Sequence, residues 1–180
     1  GREAPACAAL LKKHDIPVVV MGTHNLPRRD DEPYDEPFTL PARLKDAGIL
    51  FAISHNDDTA HERNLPYQAA MAAAYGLDPD SALKSVTLWS AQISGVGDLL
   101  GSLETGKAAT LIITDGSPLE ITTRTTSAFI DGREIDLSSK HTKLADKYRE
   151  RYRQQKGESP GAQPAPGVGG GGGGGGPAGR

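Results

Sequence analysis

Two continuous apolar segments joined by a helical pattern constrain the fold more than any other feature of this sequence. Residues 16–22 read Ile-Pro-Val-Val-Val-Met-Gly, and residues 49–54 read Ile-Leu-Phe-Ala-Ile-Ser. Such residues favour strands, and the lack of polar alternation predicts that both faces of each strand are buried, as in a parallel sheet. Between them, Thr39, Pro41 and Gly48 suit the cap, the first turn and the end of a short helix. Strand, helix and strand together predict a βαβ unit of an α/β fold.

Two further helices are predicted after the second strand. Residues 66–75 are rich in alanine and are followed by Gly76. Asp78 is a good N-cap and Pro79 suits the first helical position, so a second helix is predicted from Pro79 to Ile93.

From residue 100 onward the pattern changes to short strands. Residues 108–114, 122–130 and 133–137 are predicted strands, and Asp131-Gly132 between the last two is typical of a type I′ hairpin turn. Residues 140–156 form a polar helical pattern with a thin apolar stripe.

Composition excludes several kinds of partner. The net charge is -3 and the pI is about 6.0, which provides no basic surface for nucleic acid or an anionic membrane. No apolar run approaches the roughly 20 residues of a membrane span. Residues 157–180 consist largely of Gly, Pro and Ala, so a disordered tail is predicted. Because the chain starts at Gly1 in the middle of a pattern, we expect its N-terminus to be a truncation or a processing product.

Residues 64–136 carry a series of motifs in a specific order. Gly-Ser-Leu-Glu-Thr-Gly-Lys-Ala-Ala at 101–109 precedes an apolar strand, Asp-Gly-Ser-Pro-Leu follows at 115–119, and Phe-Ile-Asp-Gly-Arg-Glu closes the series at 129–134. Tyr-Gly-Leu at 75–77 comes before them. In this order the motifs resemble the amidohydrolase superfamily, in particular its imidazolonepropionase-like branch.

The resemblance implies the C-terminal portion of a (β/α)8 barrel, with part of the small β-sandwich that accompanies it. The two apolar strands would be the seventh and eighth of a barrel that needs about 250 residues. Residues 1–100 are then the last strands and helices of the barrel, 101–137 the sandwich strands, 138–156 a terminal helix and 157–180 the tail. In this family the motif at 101–109, which contains Lys107, is not catalytic, so Lys107 is expected to be structural.

The resemblance also implies the chemistry. Members of the family hydrolyse C–N bonds that are not peptide bonds, including those of cyclic amides, with water activated by a divalent metal, usually zinc. The first barrel strand carries an H-x-H pair, and this chain contains no H-x-H. We therefore expect the 180 residues alone to bind no metal and to be inactive. We expect the small-molecule substrate to be turned over only by the full-length protein, for which both a monomer and a homo-oligomer stay open.

The family's catalytic aspartate, which binds metal and accepts a proton from water, ends the eighth strand. Strict spacing from that strand puts Asn56 at this position, and Asp57 follows one residue later. A shift of one residue turns a side chain to the other face of a strand, although a strand end can bulge. Asp57 is thus the candidate catalytic and metal-binding residue, while Asp58 is expected to be solvated in the loop.

Three histidines are candidate substrate-binding residues. His24 follows the seventh strand, His55 follows the eighth, and His61 lies further along the loop after it. An imidazole at a strand end can bind a metal or a substrate anion. For His55 the alternative is a surface loop histidine without a role, and for His24 it is a histidine that caps the strand end.

Three other functions remain open at this point. A relative that hydrolyses Xaa-Pro or other dipeptides has the same fold. A barrel without metal chemistry that serves for binding is supported by Asn56. The β part with the terminal helix could also act as an interaction module.

Overall fold

Helices and strands alternate along the first half of the chain, as the sequence predicts. The computed structural model describes residues 3–27, 29–55 and 59–157. Its contacts divide the chain into two compact units, Gly1–Leu137 and Ser138–Arg180, and each is described by itself. The first unit contains, in order, α1 (Ala8–Lys13), β1 (Val18–Met21), α2 (Glu36–Asp46), β2 (Phe51–Ser54), α3 (Leu65–Ala74), α4 (Pro79–Ser85), α5 (Leu88–Ile93), β3 (Leu111–Thr114), β4 (Thr125–Ile130) and β5 (Arg133–Glu134), with 3-10 helices at Pro5–Cys7 and Thr59–Asn64.

The predicted βαβ unit is confirmed. β1 and β2 pair in parallel, with Val18 opposite Phe51 and Met21 opposite Ser54, and α2 connects them. The helix begins four residues earlier than predicted, at Glu36, because Pro37 takes the first-turn position expected for Pro41. Pro41 lies buried inside the helix instead.

The core lies on one side of the strand pair. Phe51 and Ile53 of β2 are buried against Leu44 of α2, and Trp89 of α5 meets the Phe51 ring edge-on at 5.1 Å between centroids. Helix α3 contributes alanines to this core, which allow close approach of the helix to β2. The same packing holds the ends of both strands in fixed positions.

The two strands differ in how their faces are covered. In β2, Phe51, Ala52 and Ile53 are all buried, as predicted for a strand covered on both faces. In β1 that prediction is wrong, since Val19 is 50% exposed and Met21 57% exposed. These two side chains share one face of the strand, and the described residues supply no layer that covers it.

A single helix from Pro79 to Ile93 was predicted, and the structure has two. Asp78 caps α4 as expected, since its carboxylate accepts from the backbone N–H of Ser81 at 2.9 Å. The helix ends at Ser85, and Thr87 has a non-helical backbone before α5 starts. The Thr87 hydroxyl donates to the Leu83 carbonyl at 2.7 Å, a local bond that competes with helical hydrogen bonding.

The last three strands of the first unit form an antiparallel sheet in the order β3-β4-β5. Asp131 and Gly132 both have positive φ, 48° and 78°, which confirms the predicted hairpin turn. All three strands are shorter than predicted, because the residues at their ends form turns and loops. Gly101, before this sheet, has φ 94° and a backbone so close to Leu88 and Ala91 that a Cβ would lie 2.8 Å from each.

The second unit contains α6 (Lys140–Gln155), which begins with a capping box formed by Ser139 and Thr142. Leu144, Tyr148 and Tyr152 are exposed along it. The predicted tail from 158 onward lies outside the described residues, and the predicted boundaries at 100/101, 137/138 and 156/157 stay predictions. None of the described helices has the length and apolar character that crossing a membrane requires.

Candidate functional site

A polar cleft opens at the carboxyl ends of β1 and β2. Because the strands are parallel and end in register, the loops that follow them meet at one edge of the sheet. The cleft has a volume of about 650 Å³, within the range of small-molecule sites. Its lining residues are Gly22, His24, Asn25, His55, His61, Asn64, Tyr67, Gln68 and Ile121.

The loop after β1 is anchored by Gln68 of α3. The Gln68 side-chain oxygen accepts from the backbone N–H groups of Thr23 at 2.6 Å and His24 at 2.8 Å. The Thr23 hydroxyl donates to the Gln68 carbonyl at 2.7 Å, and Thr23 is fully buried. These bonds satisfy the buried backbone of the loop and fix the position from which the His24 side chain starts.

Asn25 continues this anchoring on the outer side of the loop. Its side-chain nitrogen donates to the carbonyls of Met21 at 2.9 Å and Gly22 at 3.1 Å. Gly22 has φ 74°, which allows the chain to turn sharply out of β1. The chain therefore leaves the strand in a single, hydrogen-bonded conformation.

The structure brings all three candidate histidines to the cleft. His24 comes from the loop after β1, His55 directly follows β2, and His61 lies in the 3-10 helix Thr59–Asn64. The rings of His55 and His61 are 6.4 Å apart between centroids. Whether these side chains bind substrate stays a prediction.

The cleft changes the acid–base behaviour of His24. Partial desolvation of the imidazole lowers the pKa of His24 below its usual 6.5, and the charge of His55 lowers it further. The residue as a whole remains exposed, so water still reaches the ring. The surroundings therefore favour a neutral imidazole, which can donate one hydrogen bond and accept another.

Asp57, the predicted catalytic residue, lies outside the described residues, as do Asn56 and Asp58. Within residues 3–27, 29–55 and 59–157, no group of three or more His, Cys, Asp or Glu side chains is arranged to hold a metal ion. The described part of the cleft does not by itself fit a metal centre.

Lys107 lies in a separate loop and has structural contacts. Its ammonium donates to the Gly97 carbonyl at 2.7 Å and to the Ser102 hydroxyl at 2.6 Å, and it is 3.5 Å from the Glu104 carboxylate. These bonds tie together the segment from 97 to 107. The expectation that Lys107 is structural is in agreement with this geometry.

Sequence reasoning missed the polar residues of α3 and of the turn before it. Gln68, Tyr67 and Asn64 line the cleft although the helical pattern at 66–75 was interpreted only as alanine-rich. One feature of the sequence could have indicated the role of Gln68. Gln68 directly precedes the buried Ala69, so a polar side chain near the core-facing stripe needed hydrogen-bond partners.

The family comparison and the structural comparison both identify amidohydrolases. The amidohydrolase family matches residues 3–143. A search of curated proteins found no match. An amidohydrolase from Thermotoga maritima MSB8 is similar in structure, with a TM-score of 0.63 and 30% identity, over 76% of this chain and 35% of that one.

Two other solved structures show the same fold at lower identity. A prolidase in complex with N-methylphosphonate-L-proline has 19% identity and a TM-score of 0.56, over 73% of this chain and 38% of that one. An adenosine deaminase from Xanthomonas campestris with bound zinc has 22% identity and a TM-score of 0.54, over 84% and 40%. The chain thus spans well under half the length of these structures. The match over residues 3–143 shows that this chain belongs to the amidohydrolase family.

Proposed function

We propose that this chain supplies the last two strands of a (β/α)8 barrel in a metal-dependent amidohydrolase of the imidazolonepropionase-like branch. The substrate is a small molecule with a non-peptide C–N bond of the cyclic amide type. The observation that carries the proposal is the polar cleft with three histidines at the carboxyl ends of β1 and β2. In (β/α)8 enzymes the chemistry takes place at this end of the strands.

The exposed face of β1 supports the barrel. Val18 and Val20 pack toward the helices, whereas Val19 and Met21 are exposed on the opposite face. In a closed barrel, alternate side chains of each strand fill the interior, where branched apolar residues predominate. We propose that further strands cover Val19 and Met21 in the complete protein.

We propose that the residues that bind the metal lie outside the described part of the cleft. In this family a bound divalent metal supplies hydroxide from water at neutral pH. Asp57 remains our proposed metal-binding and catalytic carboxylate, because it follows β2 within three residues. The contribution that we assign to the described residues is substrate binding by His24, His55 and His61.

A dipeptidase-type activity is the second candidate. It is favoured by the described lining of the cleft, which contributes imidazole, amide and phenol groups that can donate hydrogen bonds. Such a lining suits a substrate with a free carboxylate, and one structure of this fold is a prolidase. A non-catalytic binding barrel is the third candidate, and Asn56 is the feature that favours it.

The test is metal analysis together with hydrolysis by the full-length protein, using a panel of cyclic amides and Xaa-Pro dipeptides. We expect a stoichiometric divalent metal and turnover of one substrate class. Asp57→Asn should lower kcat by on the order of 10²–10⁴-fold, whereas Asp58→Asn, the matched control, should retain activity. Absence of metal and of hydrolysis would favour the binding barrel.

A further inference from the structure

Gln68 is an unusual residue for its position in the fold. It lies between the apolar layer of α3 and the cleft, and it is only 5% exposed. Burying a side-chain amide is unfavourable unless its polar atoms are hydrogen-bonded. The contacts of its oxygen and its nitrogen therefore define what this residue does.

The oxygen of the Gln68 amide is fully engaged with the loop after β1. It accepts from two backbone N–H groups, those of Thr23 and His24, at 2.6 and 2.8 Å. A backbone N–H can only donate, so the oxygen and not the nitrogen must face Thr23 and His24. The orientation of the amide is thereby fixed.

The nitrogen of the same amide has no hydrogen-bond acceptor among the described residues. It is also not one of the fully buried side-chain atoms without a partner, so part of the surface of this nitrogen is exposed to solvent. Because Gln68 lines the cleft and its oxygen faces the loop after β1, we infer that this NH2 group faces the cleft. It provides two hydrogen-bond donors at a fixed position.

The surroundings of this NH2 group indicate what it binds. The described lining adds the phenol of Tyr67 and the imidazole of His24 as further hydrogen-bond donors beside this amide nitrogen. We infer that Gln68 positions the His24 loop through its amide oxygen and binds a carboxylate oxygen of the ligand through its amide nitrogen. This inference rests on the proposal that the cleft is the substrate site.

Substitutions at Gln68 separate the two tasks. Gln68→Glu keeps an oxygen for the N–H groups of Thr23 and His24 but replaces the NH2 donor by a carboxylate oxygen. Gln68→Met removes both. Gln92→Glu is the matched control, because it makes the same change at an exposed position of α5 outside the cleft.

The probe is acetate, with neutral acetamide for comparison, titrated into the 180-residue chain at a concentration at which sedimentation shows a monomer. NMR follows the Gln68 side-chain NH2 signals and the His24 ring protons. In the unsubstituted chain, acetate should shift the Gln68 NH2 signals in a saturable way. Gln68→Glu should weaken acetate binding at least about tenfold, since a hydrogen bond to a charged group is lost. Gln92→Glu should leave it unchanged, and Gln68→Met should move the His24 signals even without acetate.

Two results would overturn the inference. One is that acetate leaves the Gln68 NH2 signals of the unsubstituted chain unmoved, a reading that does not depend on whether any variant folds. The other is that Gln68→Glu, with an unchanged melting curve, binds acetate as the unsubstituted chain does. Neither result bears on metal content or hydrolysis, so the proposed function would stand or fall separately.

Discussion

At the scale of single residues, His24 shows how the cleft changes the properties of a side chain. Its pKa is lowered first by desolvation and then by the charge of His55. We predict that an NMR titration gives a midpoint for His24 below 6.5. His55→Asn should raise this pKa only part of the way back, because desolvation is the larger cause and remains.

The same shift has a consequence for stability. Since the pKa of His24 is lower in the folded chain than in the unfolded chain, the unfolded chain binds more protons just below pH 6.5. The contribution of His24 to stability is therefore complete above pH 6.5 and decreases as the pH falls toward the lowered pKa.

For the titration of His24, His14→Asn is the control, because His14 is distant from the cleft. An equal effect of His14→Asn and His55→Asn on the midpoint of the His24 titration would contradict this account.

Lys107 is the second residue with a specific expected effect. Its side chain is 12% exposed and holds Gly97 and Ser102 together. Lys107→Met should lower the free energy of unfolding by about 1.5–3 kcal/mol, the value of hydrogen bonds that involve a charged group. Urea unfolding measures this, with Lys84→Met as control because, among the described residues, the Lys84 ammonium pairs with the exposed Asp80 alone. Equal losses in the two variants would contradict the structural role of Lys107.

At the scale of secondary structure, the start of α4 depends on Asp78. Its carboxylate accepts from the Ser81 N–H and pairs with Lys45, and these contacts hold the pKa of Asp78 well below its usual range, the Lys45 hydrogen bond most of all. Asp78→Ala should destabilise the chain by about 1 kcal/mol through loss of the cap. Asp78→Asn, which can still cap, should lose less.

The pH dependence of the Asp78 contribution follows from the same shift. A carboxyl whose pKa is lowered on folding stabilises the chain above its unfolded pKa of 3.8, and this stabilisation is lost as the pH falls toward the lowered value. Thermal unfolding at several pH values measures it. Asp80→Ala serves as the control, and a loss as large as that of Asp78→Ala would show that charge near the helix start, and not capping, is responsible.

The sequence predicted which segments form helices and strands better than it predicted where those elements end and which side chains they bury. Continuous apolar runs identified β1 and β2, and Asp78-Pro79 identified the start of α4, because these signals are local. The break between α4 and α5 depends on side-chain hydroxyl bonds that no periodicity reports. The anchoring of His24 by Gln68 joins residues 44 apart in sequence, so it could be found only once α3 was seen to pack beside the loop.

At the scale of the whole molecule, the uncovered face of β1 is the main liability. Val19 and Met21 present apolar surface on a sheet of two strands, and no other described residue pairs with the edges of that sheet. Such surfaces favour pairing with other chains. We predict that the 180-residue chain self-associates and that Val19→Lys reduces this self-association in sedimentation experiments.

Leu26→Lys is the matched control for that experiment. Leu26 is 86% exposed in a loop and is not part of the β1 face. It should leave self-association unchanged. If both substitutions act equally, added charge and not the strand face is responsible.

We propose that this chain completes a metal-dependent barrel whose other strands belong to the same protein. The most direct measurement is to read the coding sequence upstream of Gly1. The account predicts an apolar strand that ends in H-x-H, followed by two later strands that each end in a histidine. A stop codon immediately upstream, or the same strands with these histidines replaced, would contradict it.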